Sequence, residues 1–349
     1  MYIKNKVYRT DLENGWNGIV GIKNLCHKSI LITGATGLIG SFMADLLLYA
    51  NKEKQAGIEV YLLARNEKQI RERFASSLNQ EKLHVIIQDV VKPLTLSVPI
   101  DYIVHAAGDG FPSAFREHPV ETMTPALFGT YQLLQYAREN KTKRFLYISS
   151  GEVYGKMPEN KKAFTEKDCG YLDSMEIRSC YPMAKRCGET LCVSFGEQYH
   201  LSVAVARLSH TYGACISARD NRATAQFLNH AATGEAIALN SEGRQMRSYT
   251  YVADCVSGIL TVLLNGTDRE AYNIANPASR VTIAQFAKIL AEMSGSKYIV
   301  KIPDEKEKKE LSPIAYAVLD SSKLERLGWN GRYDIYKGIE HMLNTRKTV

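Results

Sequence analysis

The sequence predicts an α/β fold: a doubly wound parallel sheet with a smaller mixed α/β lobe after it. Three observations predict it. From residue 29 to residue 207 short strands alternate with helical stretches, and the strands are apolar along their length, as strands buried on both faces must be. The first strand feeds straight into a glycine-rich turn and an apolar helix. Beyond Tyr212 the regular alternation gives way to shorter strands and mixed helices. The chain therefore divides into an N-terminal extension (1–27), a sheet domain (28–208) and a segment (209–349) that is mainly a second lobe.

Each element follows from its residue pattern. Trp16, Ile19, Val20 and Ile22 give the extension apolar side chains to bury, so it packs on the body. Strands are expected at 30–32, 58–64, 83–88, 102–106, 144–148 and 202–207. Helices are expected at 41–50, 67–78, 120–140 with a break near Pro125, and 182–199. In the C-terminal segment, helices are expected at 223–232, 252–264 and 283–293, and strands at 237–239, 248–251 and 271–274. No internal repeat or low-complexity linker separates the lobes, so they pack closely.

Bulk properties exclude several classes. Over 349 residues, 44 Lys and Arg against 37 Asp and Glu give a net charge of +7. The basic residues are dispersed, and the densest run, Lys306 to Lys309, is interrupted by Glu307, which marks a solvated face and not a nucleic-acid site. The positive excess suits a diphosphate-bearing ligand. The seven cysteines (Cys26, Cys169, Cys180, Cys187, Cys192, Cys215 and Cys255) form no CxxC pair and no metal spacing, which fits reduced thiols in a cytoplasmic protein without a metal. The N-terminus lacks the apolar core of a signal peptide, and no apolar run reaches the ~20 residues that span a bilayer.

The turn Thr33-Gly34-Ala35-Thr36-Gly37-Leu38-Ile39-Gly40 is a nucleotide-binding fingerprint. Its glycines permit a tight turn, close backbone approach to a pyrophosphate and close helix–sheet contact, and the helix N-terminus supplies amide donors. Strand–turn–helix context makes the sheet Rossmann-type and the ligand a dinucleotide. The second strand ends at Arg65 where an NAD site has an acid for the ribose 2′-hydroxyl, so NADP is slightly favoured over NAD. Asp89 and Val90 at the end of strand three, and Ala106, Ala107 and Gly108 at the end of strand four, complete the cofactor set. Asp89 serves equally as a turn cap.

Downstream, Ser149-Ser150-Gly151-Glu152-Val153-Tyr154-Gly155 and Tyr181-Pro182-Met183-Ala184-Lys185 carry the chemistry. Tyr181 and Lys185, four residues apart on a helix, share a face. An ammonium there lowers the phenol's pKa and lets tyrosinate act as a base near neutral pH. Ser150 shares the hydrogen bond to the reacting hydroxyl. Glu152 serves a neighbouring carbon, or orders the loop before Tyr154.

These motifs, with Val104-His105-Ala106-Ala107 and Arg247-Ser248-Tyr249-Thr250-Tyr251-Val252-Ala253-Asp254, fall in the order of a known family. Over residues 28 to 345 the chain resembles the extended short-chain dehydrogenase/reductases, specifically the nucleotide-sugar epimerase/dehydratase family, and it is similar to sugar-nucleotide 4,6-dehydratases and UDP-glucuronate decarboxylases in carrying Glu152. The resemblance implies Ser150, Tyr181 and Lys185 as the catalytic triad, and Ser150, Gly151, Arg207, His210 and Arg247 at a nucleotide-diphosphate sugar. It also implies a homodimer through residues 120–140 and 182–199, with Phe128, Tyr131, Leu134 and Tyr136 as bulky candidates for that interface, and a role in polysaccharide biosynthesis.

Departures matter as well. Many relatives have Asp where this chain has Gly151, so the dehydratase acid for a leaving 6-hydroxyl is missing. Ala126 stands where Asn is common, and His210 where relatives place an Asn near the substrate phosphates. The expected reaction is oxidation at C4 of a nucleoside-diphosphate hexose followed by chemistry at C5/C6. The competing readings are an NADPH-dependent 4-ketosugar reductase, a 4-epimerase, which Glu152 disfavours, and a non-catalytic nucleotide-binding protein.

Overall fold

The computed structural model describes residues 2–158, 161–216, 220–301 and 316–347. The run Lys306–Lys309 lies outside the described residues. Seven strands form one parallel sheet: β1 (Ser29–Thr33), β2 (Glu59–Ala64), β3 (Leu83–Ile87), β4 (Tyr102–His105), β5 (Arg144–Ser150), β6 (Val203–Leu208) and β10 (Glu270–Ile274). Their order is β10-β6-β5-β4-β1-β2-β3, so the direction of winding reverses between β1 and β4. At such a switch point a crevice opens beyond the carboxyl ends of the strands.

Side chains leave successive strand residues on opposite faces. Ile30 and Ile32 therefore enter one apolar core and Leu31 the other. The first core is completed by helix α1 (Lys6–Asn17), helix α2 (Leu38–Lys54) and a later helix, Val252–Asn265. The second is completed by the helices Thr130–Glu139 and Cys180–Tyr199.

The N-terminal extension is part of the body. Tyr8, Leu12 and Trp16 of α1 are buried, and so is Asp11. The Asp11 carboxylate accepts from Tyr251 Oη at 2.7 Å and Tyr333 Oη at 2.8 Å, and pairs with His341 Nδ1 at 2.6 Å. A buried carboxylate is tolerable only with such partners.

Several expectations are refined. The helix expected at 67–78 is α3 (Glu67–Arg73), because Phe74 turns into the core. The segment 120–140 follows a short α4 (Pro112–Glu117) and divides into α5 (Pro119–Thr124), a π-helical turn (Pro125–Gly129) and α6 (Thr130–Glu139). Proline lacks an amide and crowds the preceding turn, so the break falls where the sequence puts it. Leu134 and Tyr136 are core residues, whereas Phe128 and Tyr131 are exposed. The expected 182–199 helix is α7 (Cys180–Tyr199), so Tyr181 is already inside it.

Residues 209–349 supply more than a lobe, because β10 is the edge strand of the main sheet and pairs with β6. The lobe proper is a four-stranded sheet of β7 (His210–Tyr212), β9 (Met246–Tyr251), β11 (Arg280–Thr282) and β13 (Tyr316–Ala317). A second pair, β8 (Ile237–Leu239) and β12 (Tyr298–Val300), lies beside helices α8 (Ala223–Thr233) and α10 (Ile283–Ser294). The Val252–Asn265 helix is α9.

Candidate active site

One cleft of about 550 Å³ runs across the carboxyl ends of the strands and under the lobe. Its residues come from the loops after β1, β2, β3, β4, β5 and β6, from α7, and from β9 and the segment Ala317–Leu319.

At the β1 end the chain forms a cradle. Gly34 has φ +68°, and a Cβ there would lie 2.5 Å from the Ala106 carbonyl oxygen, so only glycine fits. A Cβ on Gly40 would collide with Gly34 O, which sets α2 hard against the turn. Gly37 caps α2 with no side-chain hydrogen bond, and α2 presents its first amides to the cleft. Thr33 Oγ1 accepts from Ala106 N at 3.1 Å and Ala107 N at 3.0 Å, and lies 2.8 Å from His105 Nδ1. His105 Nε2 faces the Pro125 carbonyl at 3.1 Å, a group of the π-helical turn that also accepts from Thr130 N. That carbonyl can only accept, so Nε2 carries the proton and Nδ1 accepts from Thr33. Burial holds His105 neutral, its pKa pushed down to about 3. This knot fixes β4 to β1 and leaves Gly108, with φ +138° and no atom near its Cβ position, open to the cleft. The cradle fits a dinucleotide pyrophosphate: backbone donors converge where any side chain would obstruct.

Thr36, Leu38, Ile39, Asp89, Val90, Ala106 and Ala107 line the same end. Asp89 also closes a turn, accepting from Val91 N at 3.2 Å. Arg65 lines the mouth, largely exposed, with its guanidinium 3.9 Å from Asp109. Asn66 beside it is committed to capping α3.

At the other end Ser150, Glu152, Tyr181 and Lys185 share the wall. Ser150 is the last residue of β5, and its hydroxyl caps the turn by accepting from Glu152 N at 3.2 Å while reaching the Tyr181 phenol. Lys185 Nζ donates to Ile148 O at 2.8 Å and lies 5.8 Å from the Tyr181 ring centroid. Burial lowers Lys185 to about 8. Tyr181 departs from the expected lowered phenol: burial, and then the Glu152 charge, raise it to about 12. Desolvation of tyrosinate outweighs the lowering by Ser150, Arg222 and Arg178.

Glu152 is gripped. Arg178 Nη1 and Nη2 donate to its two carboxylate oxygens at 2.8 and 3.0 Å. The guanidinium carbon of Arg178 lies 4.8 Å from the Phe115 ring centroid, and Phe115 stacks on Tyr181 at 4.7 Å and 19°. Gly151 faces Leu319: a Cβ at 151 would meet the leucine methyls at 3.3 and 3.4 Å.

Arg247 and His210 line the lobe side of the cleft, and burial drives His210 to about 3, a neutral ring beside Arg247 and Arg222. Arg207, expected at the substrate, is directed elsewhere. It is locked by Glu189 of α7 at 2.6 and 3.0 Å, touches Tyr154 Oη at 3.2 Å, and does not line the cleft. On β6 it points to the face opposite Leu208, toward α7.

Sequence reasoning missed Arg178, Asp109, Leu319 and the Asp220–Arg222 pair, whose guanidinium reaches Asp220 at 2.6 Å in the cleft wall. Arg178 was within reach of inference, standing one turn before Tyr181. The others lie in loops whose positions only the fold supplies. Among the described residues no group of three or more His, Cys, Asp or Glu could hold a metal, and no helix is long and apolar enough to cross a membrane.

Comparison with known proteins agrees with this arrangement. Residues 30–275 match the NAD dependent epimerase/dehydratase family. The chain is 29% identical over 321 residues to UDP-glucuronic acid decarboxylase 3 of Arabidopsis thaliana, covering 90% of this chain and 88% of the relative. It is 30% identical over 270 residues to UDP-glucuronic acid decarboxylase 1 of Xenopus tropicalis, covering 77% and 61%. Its fold is similar to that of a dTDP-glucose 4,6-dehydratase from Streptomyces venezuelae with NAD bound, at TM-score 0.77 and 22% identity over 91% of this chain and 96% of that one. It is similar also to a UDP-glucuronic acid 4-epimerase from Bacillus cereus in complex with UDP-glucuronic acid and NAD, at TM-score 0.76 and 21% identity over 92% and 99%. With a family model spanning most of its length and a dinucleotide cradle continuous with a Ser/Tyr/Lys wall, the chain belongs to the NAD dependent epimerase/dehydratase family.

Proposed function

We propose that this enzyme oxidises C4 of a nucleoside-diphosphate hexose and then acts at C5/C6, with loss of carbon dioxide from a hexuronate as the reaction its site suits best. The observation that carries the reading is the convergence of Ser150, Tyr181, Lys185 and Glu152 at one end of a cleft whose other end is the glycine cradle. The Arabidopsis decarboxylase relative, similar over nine-tenths of the chain, supports the same reading.

In this mechanism a nicotinamide bound along the cradle supplies the hydride acceptor and donor. Tyr181, hydrogen-bonded to Ser150, takes the C4 hydroxyl proton as tyrosinate, the base form that the Lys185 ammonium stabilises, and becomes the neutral phenol. The product is a 4-keto sugar, and a carboxylate on C5 is then β to a ketone, from which it leaves as carbon dioxide. Glu152 sets a like charge beside that carboxylate and favours its departure. Gly151 and Leu319 offer no proton donor for a leaving hydroxyl, which supports decarboxylation over dehydration. Arg247 and Arg222 would hold the diphosphate, and the lobe formed mainly by residues 209–349 would hold the nucleotide sugar.

Arg65 favours acceptance of NADP alongside NAD. The same residue supports a second reading, a 4-ketosugar reductase drawing on NADPH. A homodimer is proposed through α5, α6 and α7, where Val120, Phe128, Tyr131, Val193 and Tyr199 remain exposed.

The test is mass spectrometry on enzyme supplied with UDP-glucuronate and a panel of nucleoside-diphosphate hexoses, with and without NADPH. Loss of carbon dioxide without added reductant is expected, and Glu152→Gln should stop at the 4-keto sugar. Turnover only of a 4-keto sugar, and only with NADPH, would establish the reductase instead.

A further inference from the structure

Arg178 has no part in the chemistry described above, yet it occupies the cleft wall beside two of its principal groups. It lies just ahead of α7, in the short 3-10 turn Ile177–Ser179. Its fork meets both oxygens of Glu152, the geometry in which a guanidinium fixes the plane and direction of a carboxylate. Its flat face rests on Phe115, and Phe115 stacks on Tyr181. Phe115 is itself buried against Ala114 and Cys180, so this plate does not swing freely. Glu152, Arg178, Phe115 and Tyr181 thus form a continuous chain of contacts at the reacting end of the cleft.

We propose that Arg178 is a positioning residue of the reaction, gripping Glu152 and tying its carboxylate through the Phe115 plate to the Tyr181 ring, so that the groups for the two chemical steps are set as one unit. The proposal rests on the reading of Glu152 and Tyr181 given above. Lysine cannot replace the fork, because its ammonium makes point contacts and does not stack flat on a ring. The pair also bears on the phenol electrically. Tyr181 faces Glu152, Arg178 and Arg222 from three different segments, Lys185 from its own helix and Tyr147 from β5. Glu152 raises the phenol, while Arg222 and Arg178 lower it. Removing the acid and removing the arginine must therefore move Tyr181 in opposite directions.

The experiment uses full-length, NAD-loaded enzyme and UDP-glucuronate. Stopped-flow absorbance of the reduced nicotinamide reads the first step, and carbon dioxide release reads the second. Arg178→Gln should slow the second step by up to about 100-fold, the penalty of a misplaced group. Arg178→Lys should restore little of it. Glu152→Gln/Arg178→Gln should be no slower than Glu152→Gln alone, because a residue acting through another adds nothing once that other is gone. The acid limb of the first step should move to higher pH in Arg178→Gln and to lower pH in Glu152→Gln. Additive losses, or acid limbs that move together, would overturn the proposal. If the wild type releases no carbon dioxide, the proposed reaction fails, and the positioning role is still decided by NMR. In ζ-13C-tyrosine-labelled, NAD-loaded protein the Tyr181 resonance, assigned by Tyr181→Phe, should titrate later in Arg178→Gln and earlier in Glu152→Gln. Unmoved midpoints would overturn the coupling.

Discussion

Lys185 Nζ and the Ile148 carbonyl are joined at 2.8 Å, with the lysine buried and the Tyr181 ring centroid 5.8 Å away. The lysine is held charged where burial works against charge, and its pKa falls to about 8. The folded value lies below the unfolded one, so between about pH 8 and pH 10.4 the unfolded chain binds more protons and stability rises with pH. Below that window the charged lysine is a cost to the fold. Lys185→Met should abolish sugar oxidation and raise the melting temperature at pH 7, and the gain should shrink as pH rises toward 10. A lower melting temperature at pH 7 would show that the Ile148 hydrogen bond outweighs the burial of charge.

Gly151 and Leu319 share one space. Leu319 cannot easily retreat, because its amide donates to Ser248 Oγ at 3.1 Å and its carbonyl accepts from Arg280 Nη2 at 3.3 Å. Gly151→Asp should cost about 1–3 kcal/mol through overpacking. Leu319→Ala in the same chain should return much of that, a coupling visible in denaturant melts of the double mutant.

Arg65 is the side chain at the cleft mouth suited to a 2′-phosphate, and Asp109 lies against it at 3.9 Å. Arg65→Ala should weaken NADP more than NAD in a fluorescence titration. Asp109→Asn should strengthen NADP, because a carboxylate near that phosphate repels it. Equal changes for both dinucleotides in Arg65→Ala would remove the residue from cofactor selection.

Asp11 gathers Tyr251, Tyr333 and His341. Asp11→Asn leaves an amide with one acceptor oxygen where three groups converge, and stranded buried donors cost about 1–3 kcal/mol each. The urea midpoint should fall by an amount equivalent to about 3 kcal/mol with an unchanged slope. Cofactor affinity should hold, since Asp11 lies outside the cleft lining.

The sheet was legible because its strands are apolar on both sides and its first turn can be built only with glycine. Pro125 announced the break that became a π-helical turn. The reactive wall was legible because a four-residue spacing on a helix is a statement about one face. Arg207 was not, because which face of β6 a residue takes depends on register, and Glu189 waited on α7 to receive it. The raised phenol of Tyr181 was hidden for a related reason: spacing reveals a neighbouring charge and says nothing of desolvation. The seventh strand was read as part of the lobe because its partner, β6, precedes it by some sixty residues.

The knot at Asp11 has a consequence for the order in which the chain is made. The carboxylate leaves the ribosome 330 residues ahead of His341, and Tyr333 comes only slightly before that histidine. Helix α1 must therefore wait, its acid in water, until the residues through His341 have been released. A segment made well before its partners is thus among the last to reach its final seat.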